Sequence, residues 1–159
     1  MLLGGKNGYY SFRDSDVDAF VDGLKRLVGE HGVRLAVLKS RRTPVEVADR
    51  IQNEFGDTQF VWDGEGNNPY FAGLAKADYF VVTGDSVSMI SEAVSTGRPV
   101  FVQHLTEDRA ARRFRLFHQQ FEQAGFTRPF EGQLADWSYT PPNDTPQVAE
   151  LIRERMGIA

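Results

Sequence analysis

Ser86, Ser88 and Glu92 stand close together in the run 81–102, VVTGDSVSMISEAVSTGRPVFV, and their types suit a ligand that carries both phosphate and hydroxyl groups. The run parses as a buried strand, a tight polar turn, a short helix, a Gly-Arg-Pro stop and a second buried strand. Val81 and Val82 end an apolar, β-rich stretch, Gly84 allows the backbone turn, and Asp85 or Ser86 can cap the helix that follows. A helix start lined by Ser86 and Ser88 offers backbone N–H donors, hydroxyls and the positive end of the helix dipole, a combination that suits phosphate. Ser88, Glu92 and Ser95 share one helical face, while Val87, Ile90 and Val94 share the other, so the polar face can meet a ligand while the apolar face packs. One turn into the helix, the Glu92 carboxylate could accept ribose hydroxyls.

These residues need a scaffold, and the hydrophobic pattern supplies one. Strand-like runs alternate with helix-period stretches along the chain, the signature of an α/β sheet. Leu2 and Leu3 end a first strand, followed by the loop GGKNGYYS. Ser15 with Asp18 approximates a capping box for a helix whose stripe is Val17, Phe20, Val21, Leu24, Leu27 and Val28, stopped at His31-Gly32. Residues 34–38 form the second strand. Thr43, Pro44 and Glu46 then supply an N-cap, a first-turn proline and a capping-box carboxylate, and Val47, Ile51 and Phe55 continue that helix. Residues 58–62 are the third strand, Asn68-Pro69 opens a short helix to Lys76, residues 78–83 are the fourth strand and 99–103 the fifth. Residues 108–124 read as a long helix with Ala110, Phe114, Phe117, Phe121 and Ala124 at helical spacing, ended by Gly125. Residues 126–144 are turn-rich, and Thr145 caps a last helix containing Val148, Leu151 and Ile152.

Right-handed crossovers favour an open parallel sheet in the order 3-2-1-4-5, with helices on both faces. Strands one and four are then neighbours and form the topological switch point, where ligands bind beyond the carboxyl ends of the strands. The loop Gly4-Gly5-Lys6-Asn7-Gly8 and the loop Thr83-Gly84-Asp85-Ser86 therefore meet by topology. Sharp turns alone also select glycine, but the convergence of both loops favours a ligand over either loop taken singly.

Other residues carry alternatives. Arg41 and Arg42 follow the second strand, where they could meet a 2′-phosphate or a donor diphosphate, which keeps NADP as a rival ligand. Against NADP, the first loop reads GGKNG rather than GxGxxG. Lys6 could reach phosphate or remain a solvated loop cation. Trp62, Asp63, Asn67 and Tyr70 lie on the side suited to a nucleobase, with Trp62 equally suited to the core. Arg109, Arg112, Arg113 and Arg115 crowd a predicted helix start, where cations oppose the dipole unless Glu107 and Asp108 offset them or an anion does. His104, at the end of the fifth strand, could serve as acid, base or sugar contact. His31 and His118 have no spacing that points to a metal, and TGDSVS lacks the Gly-x-Ser-x-Gly arrangement of a nucleophile elbow. No catalytic base stands out.

Composition narrows the classes. At 159 residues and 41% hydrophobic content the chain is one ordinary domain, spanning 1–159. A formal charge of −4 argues against broad nucleic-acid binding, since no global basic field drives counterion release. The chain has no cysteine, which removes disulfides and thiolate metal sites. No signal peptide or run long enough to span a bilayer is present. The expected location is cytoplasmic, peripheral to a membrane when further domains are attached.

The strings LLGGKNGYYSF, KSRRTP, VVTGDSVSMISEAVSTGRPVFV and RPFEGQLADWSY resemble the bacterial relatives of the plant mitochondrial-fission protein Elongated Mitochondria, and the match spans nearly the whole chain. The chain looks like the carboxyl-terminal half of that family, which is similar to GT-B glycosyltransferases and is described as a predicted nucleoside-diphosphate-sugar epimerase. It resembles more distantly the donor-binding half of the peptidoglycan N-acetylglucosaminyltransferase and the UDP-N-acetylglucosamine 2-epimerases. The resemblance implies a Rossmann-like domain that binds a nucleoside-diphosphate sugar, a UDP-sugar foremost, as substrate and with no separate cofactor. Glu92 is then the ribose ligand, Ser86 and Ser88 belong to the phosphate loop, and Gly4 and Gly5 lie in the first loop. A GT-B enzyme reacts between two domains, so the short first strand implies a fragment lacking an amino-terminal domain, inactive alone. Two alternatives stay open: a non-catalytic scaffold of the fission family, and a homodimer that completes the first strand.

Overall fold

Successive residues of a strand face opposite sides of a sheet, and Leu2 and Leu3 begin that alternation at its centre. In a computed structural model, which describes residues 1–157, twelve elements follow one another: β1 (Leu2–Leu3), α1 (Asp14–His31), β2 (Ala36–Lys39), α2 (Val45–Phe55), β3 (Phe60–Val61), α3 (Tyr70–Lys76), β4 (Phe80–Thr83), α4 (Val87–Ser95), β5 (Val100–Gln103), α5 (Arg112–Gln123), β6 (Thr127–Pro129) and α6 (Asp144–Met156). The strands form one six-stranded sheet in the order β3-β2-β1-β4-β5-β6. Every pairing is parallel, with Leu2 opposite Leu38 on one side and Val82 on the other. The expected Rossmann-like α/β sheet and the expected order of its first five strands are present.

Two cores follow from the alternation. Leu3, Val37, Val81 and Phe101 pack against Phe20, Val21 and Leu24 of α1 and Val47, Ile51 and Phe55 of α2. Leu2, Leu38, Val82, Val100 and Val102 pack against Ile90, Ala93 and Val94 of α4, with Leu74 of α3 and Phe117 and Phe121 of α5 alongside. Helices thus cover both faces, as a buried parallel sheet requires.

Several local expectations change. β6 was not anticipated, because its three residues, Thr-Arg-Pro, carry no apolar alternation; it pairs with Val100–Val102 at the sheet edge, where the missing N–H of Pro129 breaks no ladder. α5 begins at Arg112 rather than residue 108, leaving Ala110 exposed while Ala111 and His118 turn inward. α6 begins at Asp144, so Thr145 lies inside the helix and Asn143 is its N-cap.

Phe20 is fully enclosed between α1 and the sheet. Phe20→Ala should cost about 3–5 kcal/mol of stability, read from the urea unfolding midpoint, because the surrounding strands cannot collapse into the cavity.

Candidate functional site

β1 is two residues long, so the backbone beyond it enters the interior without ladder partners. Buried amides must still be paired. The Gly4 amide donates to Thr83 Oγ1 at 2.8 Å, and the Gly5 amide to Asp85 Oδ2 at 2.7 Å. Asn7 Nδ2 donates to the Asp85 carbonyl at 3.2 Å. On the opposite flank, the Gly4 carbonyl accepts from Ser40 Oγ at 2.9 Å and Thr43 Oγ1 at 2.5 Å, while the Lys6 amide donates to the Arg42 carbonyl at 3.0 Å. A Cβ on Gly4 would overlap the Asp85 carboxylate, and one on Gly5 the Arg42 backbone. Only glycine allows these loops to approach so closely.

The loops after β1, β2 and β4 therefore converge, but their donors are not all available. The Gly4 and Gly5 amides are spent inside the protein. The open donors lie at α4, whose N-cap Ser86 makes no side-chain cap bond and leaves the first-turn amides unclaimed by a side chain. Ser86 Oγ sits 3.5 Å from Ser88 Oγ. In front lies a cavity of about 490 Å³ lined by Asn7, Tyr9, Arg42, Ser86, Val87 and Ser88 among others. Val87, expected on the packed face, is exposed here because α4 turns only Ile90, Ala93 and Val94 inward. Arg41 is exposed and outside this lining, and Lys6 lines a separate groove with Arg42 and Arg50. Arg109 reaches the rim by stacking on Tyr9, with its guanidinium 4.7 Å from the ring centre. Arg115 of the arginine cluster pairs with Glu107, whereas Asp108 is taken by Arg13 from outside the cluster.

Asp85 is only 3% exposed. Burial pushes its carboxyl pKa upward, opposed by the Thr83 hydroxyl, the Gly5 amide, its own amide and the Arg42 charge. Its Oδ1 lies buried without a hydrogen-bond partner.

Glu92 is exposed, and its Oε2 accepts from the Tyr70 hydroxyl at 2.6 Å. Burial and the Glu92 carboxylate together hold the Tyr70 proton on, raising its pKa. The bond leaves Glu92 Oε1 as the carboxylate's open acceptor. Trp62 is half-buried against the α3–α4 core and donates Nε1 to the Glu65 carbonyl at 2.9 Å. Asp63 Oδ1 accepts from the Glu65 amide, and Asn67 is exposed in the same loop.

His104 does not join the α4 cradle. It lines a neighbouring cavity of about 320 Å³ with Tyr10, Gly84, Glu107, Arg115 and His118. His104 Nε2 lies 3.0 Å from Glu122 Oε1, and its ring meets that of His118 edge-on at 5.1 Å. His118 is the residue that sequence reasoning passed over. Its Nε2 lies 2.8 Å from the Gly84 carbonyl, so it must carry the proton there, and the buried Nδ1 is left as an acceptor without a partner. The signal was present in the spacing: 114, 118 and 121 share one helical stripe, which places an imidazole among phenylalanines. Gly84 lines this second cavity, and Asp85, the next residue in the chain, lines the first. Among the described residues no group of three or more histidine, aspartate or glutamate side chains could hold a metal ion, and no helix is long and apolar enough to cross a membrane.

Burial, then the nearby His104, lowers the His118 pKa below its ordinary 6.5. The unfolded chain takes up the proton first, so the stability contributed by neutral His118 is complete above about pH 6.5 and is lost as pH falls toward the lower folded value. Replacing His118 with Asn should flatten that part of the pH dependence of the urea midpoint below neutrality; an unchanged slope would assign it elsewhere.

Comparison with known proteins adds kinship to this geometry. The family model described as Mitochondrial fission ELM1 matches residues 1–156. The mitochondrial fission protein ELM1 of Arabidopsis thaliana is 41% identical over 122 residues, which cover 74% of this chain and 28% of the plant protein. The uncharacterized protein RP120 of Rickettsia prowazekii (strain Madrid E) is 30% identical over 160 residues, covering 96% of this chain and 45% of that protein. The chain therefore spans less than half the length of these relatives. No solved structure matches it significantly. With the match running from the first strand into the last helix, the chain belongs to the mitochondrial fission ELM1 family.

Proposed function

We propose that this domain binds a nucleoside-diphosphate sugar, a UDP-sugar foremost, as the donor-holding half of a glycosyltransferase-like or nucleoside-diphosphate-sugar epimerase-like protein. The observation that carries the reading is the convergence of the β1 and β4 loops on an α4 start with no side-chain cap, one turn before the Tyr70-held Glu92. The α4 amides, the Ser86 and Ser88 hydroxyls and Arg42 take the diphosphate, and Glu92 Oε1 takes the ribose. With the nucleoside on the Tyr70 side, near Trp62, the sugar extends past Gly84 toward His104 and His118. Preorganised amides and a guanidinium would stabilise charge developing on a leaving diphosphate. The catalytic base belongs to another part of the full-length protein, and turnover by this chain alone is not expected.

Calorimetry with UDP, UDP-sugars and NADP tests this. Wild type should bind UDP, and Glu92→Ala should weaken it by about tenfold to a hundredfold, the loss of a charge-assisted hydrogen bond of roughly 1.5–3 kcal/mol. No binding, or binding untouched by Glu92→Ala, would overturn the assignment, and preference for NADP would move the phosphate site to Arg41 and Arg42.

A second reading, an interaction scaffold, draws on the printed name of the plant relative and on α6, where Val148, Leu151, Ile152 and Met156 are each at least half exposed. In that case Leu151→Glu should abolish capture of a partner while nucleotide has no effect on it.

A further inference from the structure

The strongest unexplained feature is a carboxylate inside a cradle whose chemistry suits anions. Asp85 precedes the α4 N-cap directly, its Oδ2 holds the Gly5 amide, its Oδ1 lacks a geometrically sound partner, and a Cβ on Gly4 would overlap both oxygens. The amide that a phosphate would seek from the first loop is occupied by the protein's own anion. We propose that Asp85 takes up one proton from solvent when a diphosphate enters the cradle, so that nucleotide binding is coupled to pH through this carboxyl group; the inference rests on the nucleotide-binding reading above.

The surroundings make the coupling specific. From the β2–α2 loop, Arg42 is the cation whose charge acts on Asp85, and it also lines the cavity that the diphosphate would fill. One guanidinium cannot neutralise both a buried carboxylate and a diphosphate. From the first loop, Lys6 is exposed, and the Tyr10 hydroxyl is pushed up to about 12 by burial, then by Glu107 and by Asp85 itself, so it stays protonated. From β4 the Thr83 hydroxyl faces the carboxyl, and from α5 His118 reaches the adjacent Gly84 carbonyl with His104 behind it. Burial already favours the uncharged form of Asp85. A second anion beside it adds like-charge repulsion in the same direction, and protonation removes the conflict. It also turns an acceptor-only group into one that can donate, which gives the orphaned oxygen a role.

The experiment is UDP titration of wild type and Asp85→Asn across acid to neutral pH, in buffers of different ionisation enthalpy so that protons are counted directly. The nucleotide's own ionisation is common to both proteins and cancels in the comparison. Relative to the variant, wild-type affinity should fall with rising pH by up to about tenfold per unit, and wild type should take up as much as about one more proton on binding. Superimposable profiles or equal proton counts would overturn the coupling while leaving the binding site standing. Absence of UDP binding at every pH would overturn the nucleotide reading and the coupling with it. Should Asp85→Asn fail to fold, the carbon-13 resonance of the Asp85 carboxyl in wild type decides: its titration midpoint rises when UDP is added, or it stays put and the proposal falls. A His118→Asn control that retains the wild-type slope is expected; loss of the slope there would reassign the proton to the imidazole.

Discussion

The buried amides of Gly4 and Gly5 set the terms for everything around them. They sit past a two-residue strand in the middle of the sheet, beyond the reach of any ladder, and an unpaired amide there would cost a full desolvation penalty. Thr83 and Asp85, about eighty residues away in sequence, pair with them. That solution pins the β4–α4 turn against the β1 loop, determines where α4 begins, and places Ser86 and Ser88 along one side of the resulting cleft, with Glu92 further along the helix outside its lining.

The same pressure redirects side chains that local rules assign to helix caps. Thr43 and Asp85 both stand where a capping residue is expected, yet Thr43 spends its hydroxyl on the Gly4 carbonyl and Asp85 its carboxylate on the Gly5 amide. Neither α2 nor α4 has a side-chain cap bond. Asp16 behaves alike: instead of serving the start of α1 it turns inward to the Thr106 amide and hydroxyl, at 3.0 and 2.7 Å, while Asp18 pairs with Arg50 and forms no capping box with Ser15. The energetic reason holds for Asp85 and Thr43, which serve the buried Gly5 and Gly4, whereas Asp16 ties the start of α1 to the exposed Thr106. Amides at an exposed helix start can bond water, whereas groups sealed between loops cannot, so the scarce polar side chains go to the sealed ones.

Gly84 and Asp85, adjacent in the chain, link two chemically distinct neighbourhoods. On one side are the uncapped α4 turn, Arg42 and the buried Asp85; on the other are His118, His104, Glu122 and the Glu107–Arg115 pair. His118 keeps one nitrogen on the Gly84 carbonyl and its burial favours the neutral ring, so any change of charge on that imidazole bears on the turn that shapes the cradle. The chain shares its family with proteins considerably longer than itself, spanning 28% of the plant relative and 45% of the Rickettsia one.

Much of the fold was written in local pattern. Period-two and period-3.6 hydrophobicity named the first five strands and the helices between them, the crossover rule ordered the sheet, and that order by itself brought the first and fourth loops together. Short or irregular pieces escaped: β6 is too brief to show a period, and α5 starts late because Ala111, not Ala110, finds the core. The residue types of the cleft were likewise readable in the run from Thr83 to Glu92. The allocation of their hydrogen bonds was not, since whether a glycine amide faces a ligand or a carboxylate depends on which distant group arrives first at hydrogen-bonding distance. Sequence alone determined the sheet, the switch point and the chemistry available there; tertiary structure decided that Asp85 would occupy the first loop, that Tyr70 would hold Glu92, and that His118 would be buried against Gly84, because burial makes each unpaired polar group costly and only the assembled fold reveals which groups are buried.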